Sequence, residues 1–318
     1  KFAVQLWQNE VKLCPQARCD ELKAMREDEL ELVETCRFSV LCLRKHRAKW
    51  FGRSVARFTS FSDAIDLDDA ALRALMAPHL RKMRQQRGVL VHPARPLRQF
   101  TFDVRRYPLA DALRELLGVP DLARVHDRRS DEGWKRRLLA PLLDAARRRP
   151  FLDLYDDFVR RVALPAVAPA ERSEVRYQAC PCVRVHCPGE VTIGPHCDAM
   201  YGHDARTVNV HVPLTAARGT SALVVERTVG AEDFAALEVG GCGAAFAFVG
   251  GVAAHFGAEN HTTATRCSLD LRLRFFAAAG DAYEAPGYFA AATRRADGAW
   301  VRRTGALEPD ARVGLPFT

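Results

Sequence analysis

A histidine and an aspartate two residues apart, His196-Cys197-Asp198, are the first residues in this chain whose types and spacing could do chemistry. On a strand, residues two apart point to the same face, so an imidazole and a carboxylate placed this way can grip one cation side by side. Such a pair is short enough to arise by chance. Its weight comes from His255, which follows the glycine pair of Phe248-Val-Gly-Gly-Val-Ala-Ala-His255 and is expected on a strand returning to the same mouth. Two imidazoles and one carboxylate on one face of an octahedron leave three positions open, a donor set that suits non-haem iron(II). Two open positions accommodate a bidentate 2-oxo acid, and the last accommodates dioxygen.

Downstream of His255 stand Arg266 and Ser268, again two apart. A 2-oxo diacid held at a metal through one carboxylate and its ketone directs the other carboxylate away from the ion. A buried guanidinium there gives a bidentate, charge-assisted clamp, and a neighbouring hydroxyl adds a hydrogen bond. Asn209 is a further candidate for the oxo acid. Arg184, on the strand leading towards the His-x-Asp pair, faces either the cavity or a surface ion pair. Tyr201 and Asp204 fall where a lid or substrate loop would start, and are candidate substrate residues. His261 is a rival to His255, but it follows Asn260 in an expected loop and stands only five residues before Arg266. His203 and His211 are read as neighbours of the site or core histidines, not as ligands. Asp270 and Arg272 continue the face of Ser268 and are expected to pair with each other.

These residues need a scaffold, and the chain changes character near Pro165-Ala-Val-Ala-Pro169. Before it, apolar stripes predict helices at 21–43 and from 68 to about 84, with acids at the start and basic residues at the end of the second. A short helix follows at 108–118, with Pro at its start and Gly at its stop. Two more are expected at 132–148 and 151–162, separated by Pro150. After the boundary come short alternating or apolar runs at 175–186, 208–213, 222–226, 244–249 and 268–275, with a further strand at 299–303. Strands of that length and spacing suit an antiparallel sandwich or barrel. The expected layout is a helical region, 1–165, packed on a β-rich catalytic region, 166–318, as one composite α+β domain.

Composition narrows the function classes. The formal charge is +8 in 318 residues, and the pI is about 9.1. The basic clusters (Arg105-Arg106, Arg128-Arg129, Lys135-Arg136-Arg137, Arg147-Arg148-Arg149, Arg160-Arg161) are interleaved with acids and joined to no aromatic stripe. They read as solvated faces, and a nucleic-acid partner is not expected. No apolar run reaches the roughly 18 residues a membrane span needs. The ten cysteines suggest reduced thiols in a cytoplasmic setting. Cys180-Pro-Cys182 with Cys187 lacks the usual zinc-knuckle spacing and reads as buried small thiols. The chain starts without Met and without a basic-then-apolar signal, which reads as a trimmed or processed chain and leaves an upstream targeting segment open.

The string His196-x-Asp198-x-x-Tyr201-x-His203, then Asn209-Val-His-Val-Pro-Leu-Thr215, Ala222-Leu-Val-Val-Glu226, and His255-x4-Asn260-x-Thr262-x2-Thr265-Arg266-x-Ser268-x-Asp270-x-Arg272 resembles the iron(II)/2-oxoglutarate-dependent oxygenase superfamily. Within it, the sequence is similar to the phytanoyl-CoA-dioxygenase-like and StrG-like branch. The resemblance covers about residues 175–275. It implies a double-stranded β-helix (a jelly-roll, cupin-like core), iron(II) at His196, Asp198 and His255, and 2-oxoglutarate at Arg266. It also implies hydroxylation of a C–H bond of a small-molecule substrate by dioxygen, with release of succinate and CO2. Asp198 argues against halogenation, for which such enzymes replace the carboxylate with a small residue. The segment Arg218-Gly-Thr-Ser-Ala222 departs from the expected Gly-Thr-Asn and Trp pattern, which affects the substrate side of the site. Two other readings remain: a cupin-like metal enzyme that does not use 2-oxoglutarate, and a nucleic-acid-directed oxygenase. Substrate identity and oligomeric state are not legible.

Overall fold

A computed structural model describes residues 97–303, apart from 132, 191–195, 202, 230–232 and 276–286. The helices expected at 21–43 and 68–84, and the cysteines at 14, 19, 36 and 42, lie outside the described residues.

The first long helix, α1 (Leu109–Leu117), buries Leu109, Leu113, Leu116 and Leu117, the spacing of one helical face. It stops as its sequence predicts. Gly118 takes a left-handed conformation, φ 63°, and its N–H and that of Val119 donate to the carbonyls of Glu115 and Arg114. This paired closure needs a residue free to adopt positive φ.

The expectation of a helix break at Pro150 is corrected. The chain runs through α2 (Trp134–Leu139) and a 3₁₀ turn (Ala140–Leu143), and the break comes at Asp144. The Asp144 carboxylate accepts from the N–H groups of Ala146 and Arg147 and so starts α3 (Ala145–Phe158), which carries Pro150 inside it. A side-chain cap on two otherwise orphaned donors sets a helix start more firmly than a proline one turn later can set its end. The helix continues through a wider π turn (Val159–Ala163) into α4 (Leu164–Val167).

Among the described residues, eleven strands follow or flank these helices: β1 (Arg98–Thr101), β2 (Glu174–Gln178), β3 (Cys182–His186), β4 (Val208–Pro213), β5 (Leu223–Glu226), β6 (Phe234–Ala236), β7 (Ala244–Phe248), β8 (His255–Gly257), β9 (Arg266–Arg274), β10 (Phe289–Arg294) and β11 (Trp300–Arg302). The run expected at 175–186 is two strands, β2 and β3, both paired to β9 but at different points along it. Strand β1 lies inside the half expected to be helical and pairs with β7.

All the strand pairs are antiparallel and form two sheets. The larger runs β1-β7-β4-β9-β2-β10-β11 with β3 also on β9, and the smaller runs β6-β5-β8. Strand β9 is the hinge of the arrangement. Its odd-numbered residues Leu269, Leu271 and Leu273 join Leu113, Phe151, Tyr155 and Phe158 of the helices in one apolar core. Burying each such side chain contributes about 1.5–3 kcal/mol. Strand β7 divides the same way: Ala245 and Ala247 face the helical core, whereas Phe246 and Phe248 join Leu223 and Val225 of β5 in a second cluster. The order of layers is therefore helices, large sheet, small sheet.

With the helices occupying one face of β9, period-two geometry turns Arg266, Ser268, Asp270, Arg272 and Arg274 towards the other. Of these, Arg266, Ser268 and Arg274 are at most 2% exposed. Polar groups at that depth are costly unless they are paired or serve a ligand. The basic clusters of the helical region behave otherwise. Arg161 pairs with Asp157, Arg149 with Asp153, and Arg137 with Asp131 on exposed faces, as expected, whereas the Arg160–Asp156 pair is mostly covered and Arg148 is buried, donating to the Leu142 carbonyl. No helix among the described residues is long and apolar enough to cross a membrane.

Candidate metal centre

His196 lies at the edge of the small sheet. Its N–H and carbonyl exchange hydrogen bonds with the carbonyl and N–H of His255 on β8, at 3.1 and 2.8 Å. This bridge brings the two imidazoles together, with ring centroids 4.2 Å apart. Asp198 then opens a 3₁₀ turn (Asp198–Tyr201) whose first N–H groups, from Asp198 and Ala199, donate to the carbonyls of Gly250 and Gly251. The three side chains converge: Asp198 Oδ1 lies 3.6 Å from His196 Nε2 and 3.4 Å from His255 Nε2. Among the described residues they form the one group of three or more His, Cys, Asp or Glu side chains with ligand atoms all within 4.8 Å. The group is buried.

Backbone close approach explains the glycine pair. A Cβ on Gly250 would sit 2.1 Å from Asn209 Nδ2, and one on Gly251 would sit 2.4 Å from the Ala205 carbonyl oxygen. Gly250→Ala is therefore expected to push Asn209 away from the site and to destabilise the fold by about 1–3 kcal/mol, the usual cost of overpacking. Chemical denaturation checks this; a variant as stable as the parent would mean that the loop yields freely.

The electrostatics suit a cation. Nδ1 of His255 lies 3.0 Å from the Ala253 carbonyl, which can only accept, so Nδ1 carries a proton and Nε2 is the nitrogen turned towards an ion. Asp198 splits its two oxygens. Oδ1 faces the imidazoles, whereas Oδ2 accepts from Asn209 Nδ2 and from Arg272 Nε, both at 2.9 Å. Burial alone would raise the Asp198 carboxyl, but Arg272 and the two histidines outweigh it and hold the group well below the usual carboxylate range.

The other expected residues separate into those that share the cavity and those that do not. Arg184, Asn209, His211, Arg266, Asp270 and Arg272 line one pocket with the triad. Arg266 is 2% exposed, and its Nε and Nη1 have no hydrogen-bond partner; nor has the buried hydroxyl of Ser268. Burial pulls the Arg266 guanidinium down to about 10, which leaves it a cation at neutral pH.

Asn209, the further candidate for the oxo acid, lines this pocket and uses one of its two amide N–H groups to donate to Asp198 Oδ2. Asp270 and Arg272 do not pair with each other. Asp270 accepts from Arg184 Nε at 3.0 Å and pairs with His211 Nδ1 at 2.6 Å, while Arg272 is opposite Asn209 in the sheet register and reaches Asp198. Asp204 is taken up by Arg206 in its own turn, at 2.7 Å, and does not line the pocket. The side chain of Tyr201 lies outside the described residues. His261 is 44% exposed beside Glu259 and away from the triad. His203 and His211 are buried near the site, but neither belongs to the group of three. The thiols of Cys180, Cys182, Cys187 and Cys267 are buried, and desolvation raises each of them, which suits inert core residues.

The sequence reading missed two features. One is the double hold on Asp198 Oδ2. The other is Tyr288, whose hydroxyl lies 3.2 Å from Arg272 Nη1. A strand pattern shows which face Arg272 occupies, but its partner depends on cross-strand register.

No protein-family model matches the chain. A solved structure described as a non-heme monooxygenase, the ThoJ–Ni complex, is 15% identical, covers 69% of this chain and 83% of its own, and superposes with a TM-score of 0.37, too slight a likeness to carry an argument. The streptomycin biosynthesis protein StrG of Streptomyces griseus is 32% identical over 181 residues, which span 54% of this chain and 81% of StrG. At that identity over four-fifths of the relative, the chain belongs to the family of StrG.

Proposed function

We propose that this chain is an iron(II)- and 2-oxoglutarate-dependent dioxygenase that hydroxylates a C–H bond of a small-molecule metabolite, releasing succinate and CO2. The observation that carries this reading is Arg266: a buried guanidinium, with two nitrogens lacking partners, in the same pocket as a His-Asp-His group. Three guanidiniums (Arg184, Arg266, Arg272) face two carboxylates (Asp198, Asp270) in that pocket. With a divalent ion added, the positive excess grows, and a dianion such as 2-oxoglutarate offsets most of it. A metal enzyme that did not bind an oxo diacid would have no use for a buried cation held this way.

Two antiparallel sheets with a site between them support a double-stranded β-helix; in this reading the catalytic region is 166–318, preceded by a region 1–165 whose described helices pack on the large sheet. In this reading His196, Asp198 and His255 hold the iron. The Ala253 carbonyl fixes the His255 tautomer, and Arg272 and Asn209 fix Asp198. Arg266 receives the far carboxylate of 2-oxoglutarate, and the Ser268 hydroxyl adds a donor. Phe248, whose ring lies 5.2 Å from that of His255, and Leu223 close the pocket with apolar surface that excludes water. Bound iron(II) would activate dioxygen, the oxidant, with 2-oxoglutarate giving two electrons as it is decarboxylated to succinate and the substrate C–H bond giving the other two, so that one oxygen atom would enter succinate and the other the substrate. The name of StrG, a biosynthesis protein, favours a metabolite over a macromolecule as substrate.

Purified protein given iron(II), 2-oxoglutarate and air is expected to consume oxygen and release succinate in step, and Asp198→Ala is expected to do neither. Oxygen uptake without succinate would favour a metal enzyme of another class.

A further inference from the structure

Asp198 is held in a way that decides how it can meet a metal. Its Oδ2 already accepts two hydrogen bonds at 2.9 Å, one from the Asn209 amide and one from the Arg272 guanidinium. Arg272 is itself tethered at its far side, where Nη1 lies 3.2 Å from the Tyr288 hydroxyl. Strand pairing fixes the geometry from below, because Asn209 on β4 sits directly opposite Arg272 on β9. The carboxylate is 2% exposed, so no bulk water competes for it. Only Oδ1 is turned to His196 and His255.

We propose that Arg272, anchored by Tyr288 and helped by Asn209, is a positioning residue that restricts Asp198 to one-oxygen coordination. This rests on the metal-site reading above and goes beyond it. A six-coordinate ion held by two imidazoles and one carboxylate oxygen keeps three positions for other ligands. A carboxylate that closes on the ion with both oxygens takes one of those three, and a bidentate oxo acid together with dioxygen needs them all. Arg272 prevents that closure in two ways. Its N–H occupies the lone pair that chelation would use, and its charge compensates the carboxylate before any ion arrives, so the site is set without the ion having to draw both oxygens inward. A neutral donor at this position would give the hydrogen bond without the charge. A guanidinium with a second anchor gives both, and its planar fork loses little freedom in doing so.

The test is infrared difference spectroscopy on the full chain labelled with ¹³C in its aspartate carboxylates, recorded with and without manganese(II) as the probe ion. A carboxylate bound through one oxygen shows a wide separation between its antisymmetric and symmetric stretches; a chelating one shows a narrow separation. The wild type is expected to take up one manganese(II) per chain and to show the wide separation. Arg272→Met is expected to keep the ion but to narrow the separation, and Arg272→Lys, which restores a charged donor, is expected to widen it again. Should Arg272→Met fail to fold, Tyr288→Phe removes only the anchor and is expected to give both separations side by side. A wide separation unchanged in Arg272→Met, or in Tyr288→Phe when it stands in, would overturn the proposal. Asp198→Ala, run in parallel, separates the two ideas: if it binds manganese(II) as the wild type does, or if the wild type binds none, the metal site itself is wrong.

Discussion

His255→Ala is expected to abolish turnover and to weaken divalent-metal binding by more than the roughly 10–100-fold that loss of an outer hydrogen-bonding partner costs. The substitution removes one of three donors whose ligand atoms lie within 4.8 Å of one another. It also leaves Asp198 with one imidazole facing Oδ1 in place of two. His261→Ala, six residues on, is the control. That ring is 44% exposed and lies beside Glu259, so its loss is expected to change neither metal binding nor turnover. Equilibrium dialysis against a divalent ion, followed by metal analysis, reads both variants. Loss of the ion in His261→Ala with retention in His255→Ala would move the site.

Arg266→Ala is expected to leave the metal in place and to weaken 2-oxoglutarate binding severely. Truncating one partner of a buried, hydrogen-bonded charge pair costs about 2–5 kcal/mol, which corresponds to roughly thirty- to several-thousand-fold in affinity. A saturation series in 2-oxoglutarate, with succinate as the readout, measures the shift. A second consequence concerns stability. The Arg266 guanidinium is buried with no protein partner for Nε and Nη1, an arrangement that costs folding free energy. Arg266→Met, which roughly preserves volume while removing the charge, is therefore expected to be at least as stable as the parent in denaturant. This inverts the usual outcome for a buried substitution, and a clear loss of stability would mean that the guanidinium serves packing instead of a ligand.

The parts of this molecule that follow from local pattern were legible in the sequence. The Pro108 and Gly118 boundaries of α1 depend on backbone chemistry within one turn, and α1 begins and ends there. Alternation gave β4 and most of β9, because one face of each had to meet the helical core. Non-local features were harder to read. Strands β6 and β8 are three residues each, too short for periodicity to register, and β8 is the strand that carries His255. Pro150 reads as a helix boundary in the sequence because the competing signal, the Asp144 cap, is a single residue whose effect depends on where the preceding 3₁₀ turn ends. In the site, type and spacing singled out His196, Asp198 and His255 but could not show that Asn209 and Arg272 turn to Asp198, nor that Asp270 turns to Arg184 and His211. Those pairings depend on which residues face each other across β3, β9 and β4. Register is a property of the sheet and not of any one strand.

The central claim, one iron site joined to one oxo-acid site, is tested most directly by anaerobic titration of the metal-free protein, first with iron(II) and then with 2-oxoglutarate. A chelated 2-oxo acid gives iron(II) a weak visible charge-transfer absorption. The account predicts one iron per chain, with that absorption saturating at one 2-oxoglutarate per iron, absent in Asp198→Ala and shifted to much higher 2-oxoglutarate in Arg266→Ala. Iron binding with no such absorption at saturating 2-oxoglutarate, or the same titration curve in Arg266→Ala, would contradict it.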